Sequence, residues 1–135
     1  VPHPADNAST PARRDLGRLL FFDPRLSGAG DISCASCHDP ARAYGDGRPR
    51  AIGASHTPLG RRTPTVLNTA WAAALFWDGR AETLEAQALG PIEAAGEMNL
   101  PLPAMTARLN AVAGYRELFR RAYGSDSVTP ALVAK

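Results

Sequence analysis

The only two cysteines of the chain, Cys34 and Cys37, are separated by two residues and followed directly by His38. The spacing C-x-x-C-H is typical of c-type haem attachment, in which each thiol adds to a vinyl group of the porphyrin. The adjacent imidazole then lies beneath the iron as its axial ligand. The pattern therefore predicts one covalently bound haem c, held by Cys34, Cys37 and His38.

Other chemistries use the same kind of cysteine pair. A redox-active pair of thioredoxin type needs a strand followed by a helix, whereas residues 28–33 have the composition of a turn. A structural zinc ion needs further Cys or His ligands, and His3 and His56 stand at no regular spacing from the pair. Zinc and a structural disulfide therefore remain the less favoured alternatives.

The composition excludes several broad classes of protein. The 135 residues suit one domain, and a net charge of +2 argues against a nucleic-acid partner, which attracts a concentrated basic face. No apolar run is long enough to predict a membrane span. Because haem is attached to such motifs outside the bacterial cytoplasm, we expect a periplasmic protein. The start Val1-Pro2-His3-Pro4 lacks a leader, which favours a mature chain whose signal peptide has been removed.

The elements that position the motif are predicted to be short helices joined by shaped loops. Twelve prolines and twelve glycines interrupt the chain, and no segment alternates apolar and polar residues over the length of a strand. The sequence therefore favours a mainly α fold wrapped around one covalent haem, with few or no strands. Predicted helices begin at Thr10-Pro11 and Thr63-Pro64 and also span residues 81–89, 104–111 and 115–123.

Turn residues set the predicted ends of these helices. We expect the first helix to stop before Asp23-Pro24, the second at Asp78-Gly79 and the third at Gly90-Pro91. Gly124 is predicted to cap the last of them. Residues 45–64, rich in glycine and proline, are predicted to form a long ordered loop, and loops of this length usually carry function.

The C-terminal end carries an incomplete helix. Thr129-Pro130 repeats the helix-start chemistry of Thr10-Pro11, yet the chain stops at Lys135 after little more than one turn. Such a short helix is marginal by itself because helix nucleation is costly. We therefore expect a piece of a longer polypeptide, truncated or cleaved near Lys135, with a frayed natural terminus as the alternative.

An ordered series of short motifs surrounds the haem site. They are residues 16–27, Pro64-Thr65-Val66-Leu67-Asn68, Phe76-Trp77-Asp78-Gly79-Arg80, Gln87-Ala88-Leu89-Gly90-Pro91 and Glu97-Met98. In this order they resemble the N-terminal domain of bacterial di-haem cytochrome c peroxidases and their MauG-type relatives. The resemblance covers residues 11–135 and leaves residues 1–10 as an N-terminal extension. It implies a cytochrome-c-like domain whose haem meets hydrogen peroxide, followed by a second haem domain in the missing C-terminal part.

The resemblance also implies roles for residues above the haem. Glu97 matches a carboxylate that moves a proton between the two peroxide oxygens, and Gln87 matches a glutamine that hydrogen-bonds peroxide or water. Pro91 matches a proline that limits access to the iron. Without the resemblance these residues suggest a solvated loop acid, a surface amide and a helix stop. Glu93 is the competing acid, although it matches no acid of the family.

Two tryptophans differ in what the resemblance implies for them. Trp77 matches a tryptophan that lies between the two haems and passes electrons, and as a residue type it suggests a core aromatic at a domain interface. These two interpretations are compatible. Trp71 matches no functional residue, so we expect it to be part of the core.

Two positions depart from the family pattern. Relatives that need reductive activation carry a histidine directly after an Ile-Gly pair, whereas Ile52-Gly53 is followed here by Ala54. We therefore expect an iron that is five-coordinate or water-bound at rest, with His56 an exposed loop residue and ligation by His56 as the alternative. Arg62 replaces an asparagine that helps many relatives hold calcium. A guanidinium cannot bind a cation, so calcium is doubtful here unless carbonyl oxygens supply the site.

Two functions from different classes fit these residues. The first is a haem peroxidase that either reduces hydrogen peroxide with electrons from a small redox protein or oxidises a protein substrate. The missing loop histidine slightly favours the second, MauG-like route. The alternative is a monohaem electron carrier with His38 and Met98 as axial ligands, because Met98 follows the histidine at a spacing common in small cytochromes.

Overall fold

The computed structural model describes residues 2–135, and within that range the chain is helical and forms only three isolated β-bridges instead of strands. The α-helices are α1 Pro11–Phe22, α2 Cys34–Cys37, α3 Leu84–Glu93, α4 Leu102–Asn110, α5 Ala113–Tyr123 and α6 Pro130–Ala134. Short 3₁₀ turns occupy Pro24–Leu26, Pro40–Arg42, Ala54–His56 and Thr69–Trp71. The expected mainly α class is confirmed. No helix of this part of the chain is both long and apolar enough to cross a membrane.

The capping residues act as their types predict. The Thr10 hydroxyl accepts a hydrogen bond of 3.2 Å from the backbone N–H of Arg13 at the start of α1. Thr129 does the same for the N–H of Leu132 at the start of α6, at 3.3 Å. Gly124 ends α5 with a φ of 73°, a left-handed conformation that glycine adopts without steric cost.

A single apolar core joins the helices and extends beneath the segment after α3. Its buried side chains come from α1, α3, α4, α5 and the chain around residue 98, and they include Leu16, Leu20, Ile92, Met98, Leu100, Met105, Leu109, Tyr115 and Phe119. The Tyr115 hydroxyl also donates a hydrogen bond to the carboxylate of Asp23, at the end of α1. Because Met98 lies in this core, the backbone of its neighbour Glu97 is held in place.

The helix predicted from Thr63-Pro64 to Asp78-Gly79 does not form. Only the 3₁₀ turn at residues 69–71 interrupts a series of loops there, and Asn68 and Phe76 have left-handed φ angles of 62° and 67°. The helical spacing of apolar residues was misleading, because most of these side chains do not face the core. Trp71 is 62% exposed, so its expected core position is wrong. Without a buried face, nothing in the packing selects a helix.

Helix α3 continues past the predicted stop. It runs to Glu93 with Pro91 inside it, although proline removes one backbone donor and usually ends a helix. The chain that follows α3 stabilises its last turn. The Pro91 carbonyl accepts from the N–H of Met98 at 3.0 Å, and the Ile92 carbonyl accepts from the N–H of Leu100 at 2.8 Å. These bonds from residues 98–100 satisfy the last turn of α3.

Candidate haem site

Helix α2 presents both cysteines on one turn. The Ser33 backbone N–H donates to the Ser36 hydroxyl at 2.9 Å, which stabilises the start of this short helix. Both thiols are free, so they do not form the alternative disulfide. No cluster of three or more His, Cys, Asp or Glu side chains suited to a metal ion occurs within residues 2–135, so the zinc alternative gains no support.

Both thiols are poor candidates for redox chemistry of the thioredoxin type. Burial raises the pKa of Cys34 to about 11. Burial also raises the pKa of Cys37, with smaller contributions from the negative charges of Asp46 and Glu97. Because the thiolate is the reactive form, thiols with raised pKa values stay protonated and unreactive at neutral pH. This environment favours a fixed attachment point over a disulfide-exchange site.

The loop after the motif orients the imidazole of His38. Its Nδ1 lies 3.1 Å from the carbonyl oxygen of Tyr44, a distance that lets the ring N–H donate to that oxygen. This hydrogen bond assigns the proton to Nδ1 and leaves the lone pair of Nε2 available for a metal. Ala43 and Tyr44 both have left-handed φ angles, of 52° and 59°. This conformation turns the loop so that the Tyr44 carbonyl faces His38. Nothing in the sequence pointed to Tyr44.

Glu97 lies in the same site as the haem motif although 59 residues separate it from His38. Burial raises the pKa of its carboxyl group, and the positive charge of Arg80 and the nearby His38 imidazole oppose that rise. Its own charge in turn acts on the thiol of Cys37. A half-buried carboxyl group beside the His38 imidazole is of a type that can accept and release protons during a reaction.

A loop segment, Ile52-Gly53-Ala54, connects the haem cysteine with the distal acid. The Cys37 thiol donates to the Ile52 carbonyl at 3.5 Å. The backbone N–H of Ala54 lies 3.1 Å from the Gly96 carbonyl and 2.8 Å from the Glu97 carbonyl. The position where many relatives have a histidine therefore contacts the backbone of Glu97 directly.

Gly53 is required for this close approach. A Cβ atom at Gly53 would lie 1.9 Å from the Gly96 carbonyl oxygen. We expect Gly53→Ala to lower the free energy of unfolding by about 1–3 kcal/mol, because the backbone carrying Glu97 must move away from the new methyl group. Urea unfolding followed by circular dichroism measures this loss.

The matched control for this prediction is Gly60→Ala. Gly60 belongs to the same loop, and a Cβ atom there would meet nothing within 4 Å. The control should unfold at nearly the wild-type urea concentration. Equal stability of the two variants would contradict the role assigned to Gly53.

The remaining histidine of the loop faces solvent. The His56 side chain is 78% exposed, and its Nε2 lies 3.9 Å from a carboxylate oxygen of Asp31. The arrangement agrees with an exposed loop residue and gives no support to His56 as an iron ligand. Met98, the ligand of the alternative electron carrier, is buried in the apolar core at 6% exposure.

The Trp77 ring lies on the surface of the described chain, 56% exposed, instead of in its core. Its indole N–H donates to the Arg62 carbonyl at 3.0 Å. The Arg80 guanidinium lies 3.5 Å from the ring centroid of Phe76 and pairs with Asp78 at 2.8 Å. These contacts hold Arg80 in a fixed position from which its charge acts on Glu97.

Gln87 and Pro91 both lie on α3, half-buried and one turn apart. The helix that carries them leads into the turn at Glu97, whose backbone N–H donates to the Ala94 carbonyl at 2.9 Å. One continuous segment therefore carries the amide, the proline and the acid, and only Glu97 is shown close to the haem motif. Their separate roles stay predictions.

Comparisons with known proteins agree on one family. The family model for di-haem cytochrome c peroxidase matches residues 11–135. The chain is 55% identical to the methylamine utilization protein MauG of Methylorubrum extorquens over 126 residues, which are 93% of this chain and 36% of that protein. It is 42% identical to the cytochrome c551 peroxidase of Nitrosomonas europaea, covering 90% of this chain and 37% of that protein.

Solved structures show the same likeness. A MauG-like protein associated with microbial copper homeostasis superposes with a TM-score of 0.88 at 34% identity, covering 99% of this chain and 43% of that one. The di-haem peroxidase BthA of Burkholderia thailandensis gives a TM-score of 0.78 at 28% identity and is covered to 39%. The chain therefore spans well under half the length of each of these relatives.

Proposed function

The chain belongs to the di-haem cytochrome c peroxidase family, and we propose that it forms the peroxide-reacting haem domain of such an enzyme. The observation that carries this proposal is the half-buried carboxyl group of Glu97 in the same site as Cys37 and His38. Family membership implies c-type haem. We propose that the second haem is carried by a further domain of the same protein, because the chain covers only 36% of its MauG relative.

The residues of the site fit a covalent haem. Two free thiols lie on one helical turn, and the Nε2 atom of His38 keeps its lone pair available. Cys34 and Cys37 would hold the porphyrin through thioether bonds, and His38 would bind the iron. When bound, the haem supplies the electrons that break the peroxide bond.

The chain's own residues then manage protons and access. In its charged form, Glu97 accepts a proton from one oxygen of hydrogen peroxide and returns it to the other, which leaves as water. The amide of Gln87 hydrogen-bonds the peroxide without competing for its protons. Pro91 offers no backbone donor and narrows the approach to the site. Reduction of peroxide to two waters consumes two electrons and two protons, so an electron source is also needed.

The exposed aromatic residues suggest where the electrons enter. Trp77 is held by its indole N–H while more than half of its surface stays accessible, and Leu67 and Trp71 are exposed on the same chain segment. We propose that the second haem domain covers the exposed side chains of Leu67, Trp71 and Trp77, and that Trp77 carries electrons between the two domains. The proposed source of these electrons is either a small redox protein or an oxidisable protein substrate. Ala54, which stands in place of a histidine, slightly favours the protein substrate. The proposed location is the periplasm.

An absorption spectrum of the haem-loaded protein tests the proposal against the electron carrier. An accessible iron gives a high-spin spectrum that shifts with cyanide and changes on adding one equivalent of hydrogen peroxide. A His38/Met98 carrier is low-spin and unresponsive. Met98→Leu conserves the buried volume, so a peroxidase domain should keep its spectrum in this variant. A spectrum that Met98→Leu converts from low-spin to high-spin would establish the carrier instead.

A further inference from the structure

A cavity of about 500 Å³ lies directly after the loop that orients His38. Its charged lining residues are Arg42, Asp46, Arg48 and Arg62. Because Arg42 pairs with Asp39, two guanidinium groups, those of Arg48 and Arg62, face the single carboxylate of Asp46 and leave one net positive charge. This cavity takes no part in the proton transfer proposed for Glu97, so its charge needs a separate explanation.

One of the three arginines is fixed by the protein itself. The Arg42 guanidinium donates from Nη1 to the Asp46 carbonyl at 3.1 Å, and its Nε lies 3.5 Å from the Asp39 carboxylate. Gly47, with a φ of 69°, leaves room for the Arg42 guanidinium, because a Cβ atom at this position would lie 2.5 Å from Nη1. Arg48 and Arg62 differ, because neither guanidinium has a hydrogen bond or an ion pair within residues 2–135.

Two buried polar atoms in the same wall also lack partners. Asp46 is 9% exposed, and only its Oδ1 is engaged, by the N–H of Arg48 at 3.0 Å; its Oδ2 is buried and unpaired. Thr63 is 8% exposed, and its hydroxyl has no oxygen or nitrogen partner in the described part of the chain. Buried polar groups left unpaired are costly. The Thr63 hydroxyl can donate to an anionic ligand, whereas the Asp46 oxygen only accepts and needs a donor of its own.

The cavity adjoins the haem attachment. Asp46 and Arg48 are close enough to the Cys37 thiol for their charges to act on it, and the Thr63 side chain also contacts this thiol. Ala43 and Gly45, which line the cavity, flank Tyr44, whose carbonyl receives the His38 hydrogen bond. A group that extends from a porphyrin held by Cys37 and His38 can therefore reach the cavity.

We propose that this cavity holds the two propionate carboxylates of the covalent haem, and that Arg48 and Arg62 bind them. The proposal rests on the function proposed above, since it needs the haem in place. Arg48 and Arg62 each have a guanidinium group without a partner in the part of the chain that the structure describes, and a guanidinium binds a carboxylate through two parallel N–H donors, so the two arginines match the two propionates. The Thr63 hydroxyl supplies a further donor. Arg62 stands where many relatives have an asparagine that helps to hold calcium. Its guanidinium brings a positive charge to the edge of the haem without a bound cation.

Resonance Raman spectroscopy of the haem-loaded protein tests this assignment, because propionate bending bands respond to the hydrogen bonds that the carboxylates accept. Arg48→Gln and Arg62→Gln should each shift a propionate band to lower frequency, and Arg62→Lys should restore part of the shift. Arg50→Gln and Arg61→Gln are matched controls, because both residues are exposed neighbours that do not line the cavity. Unshifted bands in both cavity variants would overturn the proposal.

A second measurement separates the propionates from a free anion as the ligand. If propionates fill the cavity, the haem-loaded wild-type protein should not bind inorganic phosphate in calorimetry. Phosphate binding to this protein that Arg62→Gln abolishes would make the cavity a free-anion site and overturn the assignment. If the proposed function itself is wrong, the observation is a different one: the wild-type protein carries no covalent haem or does not react with peroxide.

Discussion

Replacing Glu97 by glutamine is expected to slow the reaction with hydrogen peroxide by a factor of about 10² to 10⁴ while the haem stays attached, because general acid–base catalysis contributes about that much. The amide keeps the size and a hydrogen bond of the carboxyl group but cannot accept the proton. Attachment depends on Cys34, Cys37 and His38, which the substitution does not touch. Stopped-flow absorption at several peroxide concentrations measures the second-order rate.

The matched control is Glu93→Gln. Glu93 is the neighbouring acid at the end of α3, and its side chain is exposed. Removing it should leave the rate within about twofold of wild type, since an exposed charge of this kind is screened by solvent. A slow Glu93 variant beside a normal Glu97 variant would reverse the assignment of the acid.

The pH dependence of the same rate offers an independent check. Burial raises the pKa of Glu97 above its ordinary value of 4.5. Below that raised pKa the carboxyl group is protonated and cannot accept the peroxide proton, so the wild-type rate should rise as the pH increases through it. In Glu97→Gln this acidic limb should vanish. A limb that persists in the variant would belong to another group.

Replacing His38 by alanine is expected to abolish the wild-type haem spectrum and nearly all of the peroxide reaction. The thioether bonds to Cys34 and Cys37 are untouched, so the porphyrin should remain covalently attached in denaturing gels. The iron, however, loses the imidazole that the Tyr44 carbonyl orients through its 3.1 Å contact with Nδ1. Absorption spectra of the two proteins at equal haem content show the change.

His56→Ala is the control for this result. His56 lies in the same half of the chain, but its imidazole is exposed beside Asp31. Its removal should change neither the spectrum nor the peroxide rate. Added imidazole should partly restore the His38→Ala spectrum, because it can occupy the space that the side chain leaves. An unaltered spectrum in His38→Ala would exclude His38 as the iron ligand.

Features that depend on near neighbours in the chain could be predicted from the sequence. The haem ligand set follows from covalent adjacency, since C-x-x-C-H places two thiols and an imidazole within one helical turn. The starts of α1 and α6 were also predictable, because a threonine before a proline supplies a cap and a suitable φ angle. The same pair at Thr63-Pro64 starts no helix, so the local signal acts only where the following residues have a core to face. The mainly α class followed in the same way.

Long-range packing decided the features that the sequence predicted wrongly or did not indicate. Residues 64–79 have helical apolar spacing but no core to face, so they form loops. Helix α3 continues through Pro91, and residues 98 and 100 donate to the carbonyls of its last turn. The spacing of apolar residues shows which face a segment could bury. Whether that face is buried depends on other segments, which are distant in the chain.

The site itself shows the same division. The C-x-x-C-H motif alone predicts the three residues that attach the haem and bind its iron, and the resemblance to relatives suggests Glu97. Only the tertiary structure shows that Ile52-Gly53-Ala54 links the Cys37 thiol to the backbone of Glu97 and that the arginines gather around Asp46. The physical reason is that contacts between distant residues require the shared core and the backbone hydrogen bonds between loops, and no local pattern encodes either of them.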